Sequence, residues 1–242
     1  MENIALEVKD LYVSYSSLKK YSIKKSLFKG EKASKDRVEA VKGISFSLKK
    51  GSILGIVGKN GSGKSTMLKA IAGIFAPDSG SVDLHGNSIS LMSIGVGFNN
   101  ELTGRENIAL SGMLLGFSKE EIAAKTDEII EFSELGHFID YPVRTYSSGM
   151  YSKLAFSITA ILETDIMLID EVLSVGDAKF KKKSLAKMRS LITDSERTVV
   201  IVSHASETIK ELCDTVLWIN NGDLVKYGPT AEVLPEYDKF MS

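Results

Sequence analysis

Residues 58–66 read GKNGSGKST and stand between two apolar stretches of different periodicity. The preceding run, Ile53 to Val57, is short, uncharged and rich in β-branched residues, which predicts a buried strand. Apolar residues then recur at helical spacing, and they are Met67, Leu68, Ile71, Ile74 and Phe75. A strand that enters a glycine-rich turn and continues as a helix is the unit from which parallel α/β domains are built.

The glycine-rich segment also matches the phosphate-loop pattern G-x-x-x-x-G-K-[ST]. Glycines let backbone N–H groups point inward around phosphate oxygens, and the following helix adds the positive end of its dipole. Lys64 would supply a positive charge, and the Ser65 hydroxyl a ligand for Mg²⁺. A turn that only joins strand to helix is the alternative interpretation. The predicted phosphate-binding residues are Gly58, Asn60, Gly61, Gly63, Lys64, Ser65 and Thr66.

Two more apolar runs, Ile166 to Ile169 and Val199 to Val202, predict buried parallel strands that end in polar residues. Asp170 follows the first of them and would hold Mg²⁺ through water, while Glu171 would act as general base toward the attacking water. His204 follows the second run and would sense the terminal phosphate. On their own these residues would indicate a solvated strand end and a structural histidine; the phosphate loop favours the catalytic interpretation.

Antiparallel strands accompany this parallel core. Ile4 to Val8 and Val41 to Leu48 alternate apolar and polar residues, and Asn221-Gly222 predicts a type I′ hairpin near the end of the chain. Ser118 and Glu121 form a capping box ahead of a further helix. The chain is therefore predicted to be an α/β domain with antiparallel strands added.

Composition excludes several classes of function. The 242 residues carry 30 Lys and Arg against 31 Asp and Glu, so no field of the whole chain would attract nucleic acid or anionic lipid. Cys213 is the single cysteine, which rules out an intramolecular disulfide. No stretch approaches the roughly 18 apolar residues of a membrane span, and the first ten residues lack the apolar centre of a signal peptide. Any membrane role is expected to need other subunits.

The segment Tyr146-Ser-Ser-Gly-Met150 resembles the signature motif of ATP-binding cassette (ABC) ATPases, and it precedes the Asp170-Glu171 strand as in that family. With the other motifs in the same order, the resemblance covers nearly the whole chain. It implies that Ser147, Ser148 and Gly149 contact ATP bound to the opposite subunit of a head-to-tail dimer. Ser148 replaces a glycine of the family, and its small side chain should still allow close approach.

The same resemblance assigns three further positions. Tyr15 matches the aromatic residue that stacks on adenine, and Asp177 matches the loop that crosses the dimer interface. Asn99 stands where the family has a glutamine that touches Mg²⁺ and relays the nucleotide state to the membrane subunits. Its side chain is shorter by one methylene, which disfavours contact with the metal. An ordinary loop residue is the alternative for Asn99.

The fold implied is the α/β fold of P-loop NTPases (RecA-like), with a parallel-sheet core, an antiparallel β subdomain and an inserted α-helical subdomain. We expect one nucleotide-binding domain over 1–242, with the core and β subdomain at 1–98 and 160–242 and the helical subdomain at 99–159. A basic insertion spans 18–42. Because the chain ends soon after the hairpin, no C-terminal carbohydrate-binding domain is expected.

Three runs, 94–108, 141–158 and 170–183, look like the ATPase subunits of bacterial exporters of O-antigen, capsule or teichoic acid. Val172 and Gly176 replace the Pro and Leu of many transport ATPases, as in that group. The resemblance implies ATP and Mg²⁺ as ligands, a homodimer, two copies of a multi-span permease, a lipid-linked polysaccharide as cargo and a peripheral location on the cytoplasmic face of the inner membrane. No nucleic-acid partner is expected. The alternatives are another ABC exporter class, for drugs or lipids, and a soluble ABC ATPase outside transport.

The basic insertion carries nine Lys and Arg residues against three acidic ones. We hypothesise that it lies near the membrane and contacts anionic lipid or the pyrophosphate of a lipid-linked glycan, with a solvated surface loop as the alternative. Neutralising Lys19, Lys20, Lys24 and Lys25 together should impair transport and leave basal ATP hydrolysis intact. Unchanged transport in the quadruple variant would remove the hypothesis.

Overall fold

A computed structural model of the protein describes residues 3–16, 37–92, 97–170 and 176–241. The strands in these ranges are β1 (Ile4–Ser16), β2 (Arg37–Lys49), β3 (Ile53–Val57), β4 (Ser79–Asp83), β5 (Ile89–Leu91), β6 (Ile166–Asp170), β7 (Thr198–Val202), β8 (Thr215–Asn220) and β9 (Asp223–Pro229). The helices are α1 (Lys64–Ile71), α2 (Gly104–Leu114), α3 (Lys119–Ser133), α4 (Ser148–Ile161), α5 (Ala178–Ile192), α6 (Ser206–Leu212) and α7 (Thr230–Met241). Two short 3₁₀ helices, Gly136–Asp140 and Val143–Thr145, precede α4.

The central sheet has the strand order β5-β6-β7-β3-β8-β9. β3 pairs in parallel with β7 and β8, and only β9 runs antiparallel to its neighbour. The three apolar runs predicted as buried strands become β3, β6 and β7, which confirms that prediction. Separate apolar clusters cover the two faces of the sheet, one containing Leu54 and Ile56 and the other Val57 and Val199. Parallel sheets are stable only when both faces are covered in this way.

The second sheet is antiparallel, in the order β2-β1-β4. The predicted pairing of the two amino-terminal strands is confirmed, although β1 extends beyond Val8 to Ser16. Leu6, Leu11 and Phe46 of this sheet are buried in the same cluster as α1. The sheet therefore packs against the helix that follows the phosphate loop.

Helices α2, α3 and α4 share an apolar cluster of their own, which includes Ile108, Ile129 and Leu154. The capping box at Ser118 and Glu121 is present and begins α3, as predicted. A second box, Thr103 with Glu106, begins α2. These helices correspond to the proposed helical subdomain, whose boundaries remain a prediction.

Phe180 of α5 connects this helical region to the sheet. Its side chain is completely buried, and its ring lies 5.8 Å from Phe132 and 6.1 Å from Phe156 between centroids. Burying a phenylalanine side chain contributes roughly 1.5–3 kcal/mol. The three rings, from α3, α4 and α5, therefore stabilise the junction between the helices and the core.

Two predicted details have different outcomes. Helix α1 ends at Ile71, so the prediction that Ile74 and Phe75 continue its apolar face is wrong. Gly73 adopts φ +72°, and the N–H of Ile74 donates to the carbonyl of Lys69, which is the 6→1 bond of a glycine-terminated helix. The hairpin prediction is confirmed, because Asn221 and Gly222 join β8 to β9 with φ of 51° and 86°.

Most of the predicted basic insertion lies outside the described residues. Its last part, residues 37–42, belongs to β2. Those residues pair with β1, with an irregularity in register between Val13 and Ser14. The bounds of the insertion stay a prediction.

Candidate nucleotide-binding site

An open cleft of about 380 Å³ lies where the carboxyl ends of β3, β6 and β7 meet. Carboxyl ends of parallel strands share one edge of a sheet, so the loops that follow them converge there. The lining residues are Tyr15, Val38, Ala40, Asn60, Gly61, Ser62, Gly63, Lys64, Ser65, Thr66, Asp170, Val202 and His204. The structure thus brings together the predicted phosphate loop, adenine-stacking residue, metal-binding acid and histidine. Gly58, also predicted to bind phosphate, is not among the lining residues.

Glycine is required at both ends of the phosphate loop. Gly58 and Gly63 adopt φ of 155° and 105°, a region that residues with side chains rarely enter. A Cβ atom on Gly63 would lie 2.1 Å from the carbonyl oxygen of Ala40, and one on Gly58 would lie 2.2 Å from that of Ile219. The backbone can therefore pass between β2 and β8 only where no side chain is present.

Lys64 is buried at the centre of the loop. Its Nζ donates to the carbonyl oxygens of Gly58 at 2.8 Å and Lys59 at 3.0 Å. Both acceptors are neutral, and a phosphate oxygen is a stronger acceptor for an ammonium group. The loop thus holds the charge where an incoming phosphate would meet it.

Ser65 and Asp170 form the candidate metal position. Ser65 is the second residue of α1, Asp170 is the last residue of β6, and the Ser65 hydroxyl donates to the Asp170 carboxylate at 3.3 Å. Hydroxyl and carboxylate oxygens are the donors that Mg²⁺ prefers, and this ion keeps several water or phosphate ligands. Within the described ranges, no cluster of three or more His, Cys, Asp or Glu side chains could hold a metal alone. The pair therefore fits Mg²⁺ that is bound together with a nucleotide.

Tyr15 stands at the entrance of the cleft with 40% of its surface exposed. Its hydroxyl donates to Thr66 Oγ1 at 3.0 Å, and its ring meets Phe75 edge to face at 5.9 Å between centroids. Phe75, which the sequence placed on the face of α1, instead packs against Tyr15 from the turn that follows the helix. These two contacts fix the ring and leave a face free for a nucleotide base.

The remaining catalytic predictions have different outcomes. His204 lines the cleft two residues after the end of β7. Glu171 lies outside the described residues; β6 ends at Asp170, directly before it. The role of Glu171 therefore stays a prediction from the sequence.

The signature segment does not line this cleft. Ser147 is the N-cap of α4 and accepts a hydrogen bond from the N–H of Met150, and Ser148 and Gly149 form the first turn. A Cβ atom on Gly149 would meet nothing closer than the Ser147 hydroxyl at 3.9 Å. Among the described residues, nothing outside the helix backbone would obstruct a small side chain at position 149. The role of Gly149 stays a prediction.

Asp177 is the N-cap of α5, and its Oδ1 accepts from the N–H groups of Lys179 and Phe180. Its Oδ2 accepts from Lys153 Nζ at 2.6 Å. The Lys153 ammonium and the two N–H groups lower the pKa of Asp177 to about 2. The interface residue predicted from sequence is thus a fixed negative charge at neutral pH.

Sequence reasoning missed Lys153, one turn along α4 from the signature segment. Its Nζ also lies 3.9 Å from Glu134, the residue that follows α3, while its stem passes Gly176. A Cβ atom on Gly176 would lie only 3.0 Å from Lys153 Cε. Because Gly176 has no side chain, there is room for Lys153, which connects α4 to the loop that contains Asp177.

Asn99 is also absent from the residues that line the cleft. Its side-chain oxygen accepts from the N–H of Glu101 at 3.0 Å, and its backbone exchanges two hydrogen bonds with the Asn107 amide. The side chain is therefore used within its own loop. The expectation that Asn99 is too short to contact the metal stays a prediction, as does its coupling role.

The parallel core, the glycine loop and the Ser65–Asp170 pair define a nucleotide-binding protein of the P-loop class. The family model described as ABC transporter matches residues 41–174, and the chain belongs to that family. Within the described ranges, no helix combines the length and the apolar character needed to cross a membrane.

The curated relatives are export proteins. The O-antigen export system ATP-binding protein RfbB of Myxococcus xanthus is 46% identical over 88% of this chain and 49% of its own length. The teichoic acids export ATP-binding protein TagH of Lactococcus lactis is 48% identical over 84% of this chain and 43% of its own length. RfbB of Klebsiella pneumoniae is 44% identical over 84% of this chain and 82% of its own length. The chain thus spans about half the length of the first two relatives.

Solved structures share the fold at low identity. An ATP-binding subunit of an ABC transporter superposes with a TM-score of 0.71 at 22% identity, covering 97% of this chain and 93% of its own. An ATP-binding cassette described as a post-hydrolysis dimer bound to ADP and Pi gives 0.67 at 20% identity, over 93% of this chain and 98% of its own. These values confirm the predicted P-loop α/β fold.

Replacing Lys153 with Met tests the bridge to Asp177, because it removes the ammonium and keeps the stem. We expect the pKa of Asp177 to rise from about 2 toward its ordinary 3.8, stopping short because the two N-cap bonds remain. Because the pKa of Asp177 is lowered in the folded state, the ion pair stabilises the fold at pH values above the ordinary pKa. This stabilisation is lost as the pH falls through the folded-state pKa. A pH titration followed by NMR of the Asp177 carboxyl carbon measures this pKa in the wild type and in Lys153→Met.

Lys187→Met is the matched control, since Lys187 lies on α5 and pairs with Glu163. It should leave the titration of Asp177 unchanged. Lys153→Arg should retain the low pKa. The same Asp177 midpoint in the wild type and in Lys153→Met would contradict the bridge.

Proposed function

We propose that the chain is the ATP-binding and ATP-hydrolysing subunit of an ABC exporter that moves a lipid-linked polysaccharide across the cytoplasmic membrane. The observation that carries this proposal is its identity of 42–48%, over most of the chain, with proteins named for O-antigen and teichoic acid export. The cleft supplies the chemistry that such a subunit needs. Phosphate binding, a metal position and an aromatic platform lie within one opening.

Binding of ATP would use the loop as it is folded. The triphosphate would lie along residues 60–66, where N–H groups of the loop and of the first turn of α1 lack intrahelical acceptors. Lys64 would exchange the carbonyls of Gly58 and Lys59 for phosphate oxygens. Adenine would stack on the ring of Tyr15. Ser65 and Asp170 would hold Mg²⁺, which offsets negative charge on the outer phosphates when bound.

Hydrolysis would be an in-line displacement at the terminal phosphorus. Glu171 accepts a proton from the attacking water, whose oxygen forms a bond to that phosphorus. The bond from phosphorus to the bridging oxygen breaks, and ADP and inorganic phosphate are the products. His204, at the end of β7, would contact the terminal phosphate and report whether it is present.

The site is proposed to be completed by a second copy of the chain. Ser147, Ser148, Gly149 and Asp177 lie outside the cleft, and outside its own helix backbone a Cβ atom on Gly149 would meet nothing closer than 3.9 Å among the described residues. In a head-to-tail homodimer each signature segment would face the ATP of the other protomer. The dimer would close on two ATP and reopen after hydrolysis.

Work would come from the difference in affinity of ATP for the closed and open dimers, since a ligand shifts an equilibrium only by differential binding. Two copies of a multi-span permease would receive this motion at the surface around Asn99 to Asn107 and at α2. The subunit would then lie at the cytoplasmic face of the membrane, as a peripheral protein. The lipid-linked polysaccharide would be handled by the complex.

Two alternatives share the same catalytic residues. An ATPase of a drug or lipid exporter differs in its permease, so genes adjacent to the coding sequence would distinguish it. A soluble cassette ATPase that acts on nucleic acid or ribosomes is disfavoured by the identity of 42–48% with proteins named for export.

Glu171→Gln tests the ATPase directly. Loss of the general base should slow ATP hydrolysis by roughly 10²-fold or more, while ATP binding persists. The variant should therefore accumulate as an ATP-bound dimer, measured by light scattering after size exclusion with Mg²⁺ and ATP. Glu196→Gln, on the exposed turn before β7, is the control and should retain wild-type turnover. Full turnover in Glu171→Gln would contradict the assignment.

A further inference from the structure

Helix α7, the last helix of the described residues, packs beside the strand that leads into the phosphate loop and contributes no residue to the lining of the cleft. Its residues Val233, Leu234 and Tyr237 are buried in the same apolar cluster as Val57, the last strand residue before the loop, and Trp218 of β8. Nothing in the proposed ATP chemistry uses this helix. Its side chains nevertheless contact both the phosphate loop and the helix that begins after His204.

The first contact is with the phosphate loop. Phe240, in the last turn of α7, lies under Lys59, whose Nζ is 4.4 Å from the ring centroid. The carbonyl of Lys59 accepts from Lys64 Nζ at 3.0 Å and from the N–H of Ser62 at 3.1 Å. Phe240 thus contacts the side chain of a loop residue whose carbonyl accepts hydrogen bonds from Lys64 and Ser62.

One turn earlier on the helix, Tyr237 is also close to the loop. Burial raises the pKa of the Tyr237 hydroxyl, and its hydrogen bond with the backbone of Gly58 opposes that rise. Tyr237 and Phe240, three residues apart, lie on the same face of α7.

A separate contact connects α7 to the other side of the cleft. The Ser206 hydroxyl donates to Asp238 Oδ1 at 2.6 Å. Ser206 begins α6, two residues after His204. The residue that would sense the terminal phosphate is therefore tied to the same helix as the phosphate loop.

Trp218 packs between these contacts. Its ring lies 5.7 Å from Tyr237 and 5.0 Å from Phe240 between centroids, and Trp218 pairs with Val57 in the parallel register of β8 and β3. Trp218 thus joins Tyr237 and Phe240 of α7 in one group of rings beside the last strand residue before the phosphate loop. Phe240 is 41% exposed, so its truncation removes little buried surface.

We propose that α7 is a positioning element of the ATP site, in which Phe240 sets the phosphate loop through Lys59 and Asp238 sets the His204 segment through Ser206. The proposal rests on the proposed ATPase function. A loop held in its binding conformation loses less freedom when the nucleotide binds, so this support should appear in nucleotide affinity.

The test is a double-mutant cycle on the two partners of the cation–π contact. Lys59→Met and Phe240→Leu should each raise the dissociation constant for Mg·ADP and the KM for ATP, by about two- to fivefold for an exposed contact of this kind. Because the residues act as a pair, the double variant should be no weaker than the weaker single variant. Calorimetric titration with Mg·ADP and steady-state ATP hydrolysis give the two constants.

Controls separate positioning from folding. Phe240→Tyr keeps the ring and should restore wild-type affinity, and Met241→Ala, at the exposed end of the same helix, should change neither constant. A structural role alone would lower the melting temperature and leave KM unchanged. Asp238→Asn should instead lower kcat with little change in KM, because it acts on the His204 side.

The outcomes also distinguish this inference from the function on which it rests. A wild-type chain that neither binds Mg·ADP nor hydrolyses ATP contradicts the proposed ATPase. If the wild type binds Mg·ADP and hydrolyses ATP but Phe240→Leu keeps the wild-type KM and Mg·ADP affinity, the proposed role of α7 is contradicted. The ATPase function is then unaffected. Strictly additive effects of Lys59→Met and Phe240→Leu would contradict the pairing as well.

Discussion

The parallel pairing of β3 with β7 on one side and β8 on the other is the constraint on which the rest of the structure depends. Both faces of β3 are covered by apolar clusters, so its backbone groups must be satisfied by neighbouring strands. Parallel pairing places the carboxyl ends of β3, β6 and β7 at one edge. The phosphate loop, Asp170 and His204 meet because of that topology, although they are far apart in sequence.

Sequence was sufficient for those parts of the site that local patterns determine. A short β-branched run followed by a phosphate-loop motif identifies β3 and α1, and the polar residues after two similar runs identify Asp170 and His204. The prediction that Phe75 lies on the apolar face of α1 failed because Gly73 ends the helix. Phe75 instead packs against Tyr15. Contacts between distant elements, such as Lys153 with Asp177 or Phe240 with Lys59, follow no local spacing and could not be read from the sequence.

The two halves of the proposed catalytic centre differ in how the chain supports them. The phosphate-binding half is fixed internally by close backbone contacts at Gly58 and Gly63. The signature half is presented on the surface by the N-cap at Ser147, and Lys153 joins its helix to the Asp177 loop. A site divided in this way is expected to act only when two copies meet. The Lys153 bridge would then make the two interface segments of one copy move together.

The claim that the chain drives export of a polysaccharide is tested most directly by purification of the tagged protein from its native membranes. ATP hydrolysis by the isolated complex is then measured with and without added lipid-linked glycan. We expect that a multi-span partner is recovered and that the glycan changes the rate of hydrolysis. An ATPase recovered without a membrane partner, with a rate indifferent to the glycan, would contradict the transport assignment.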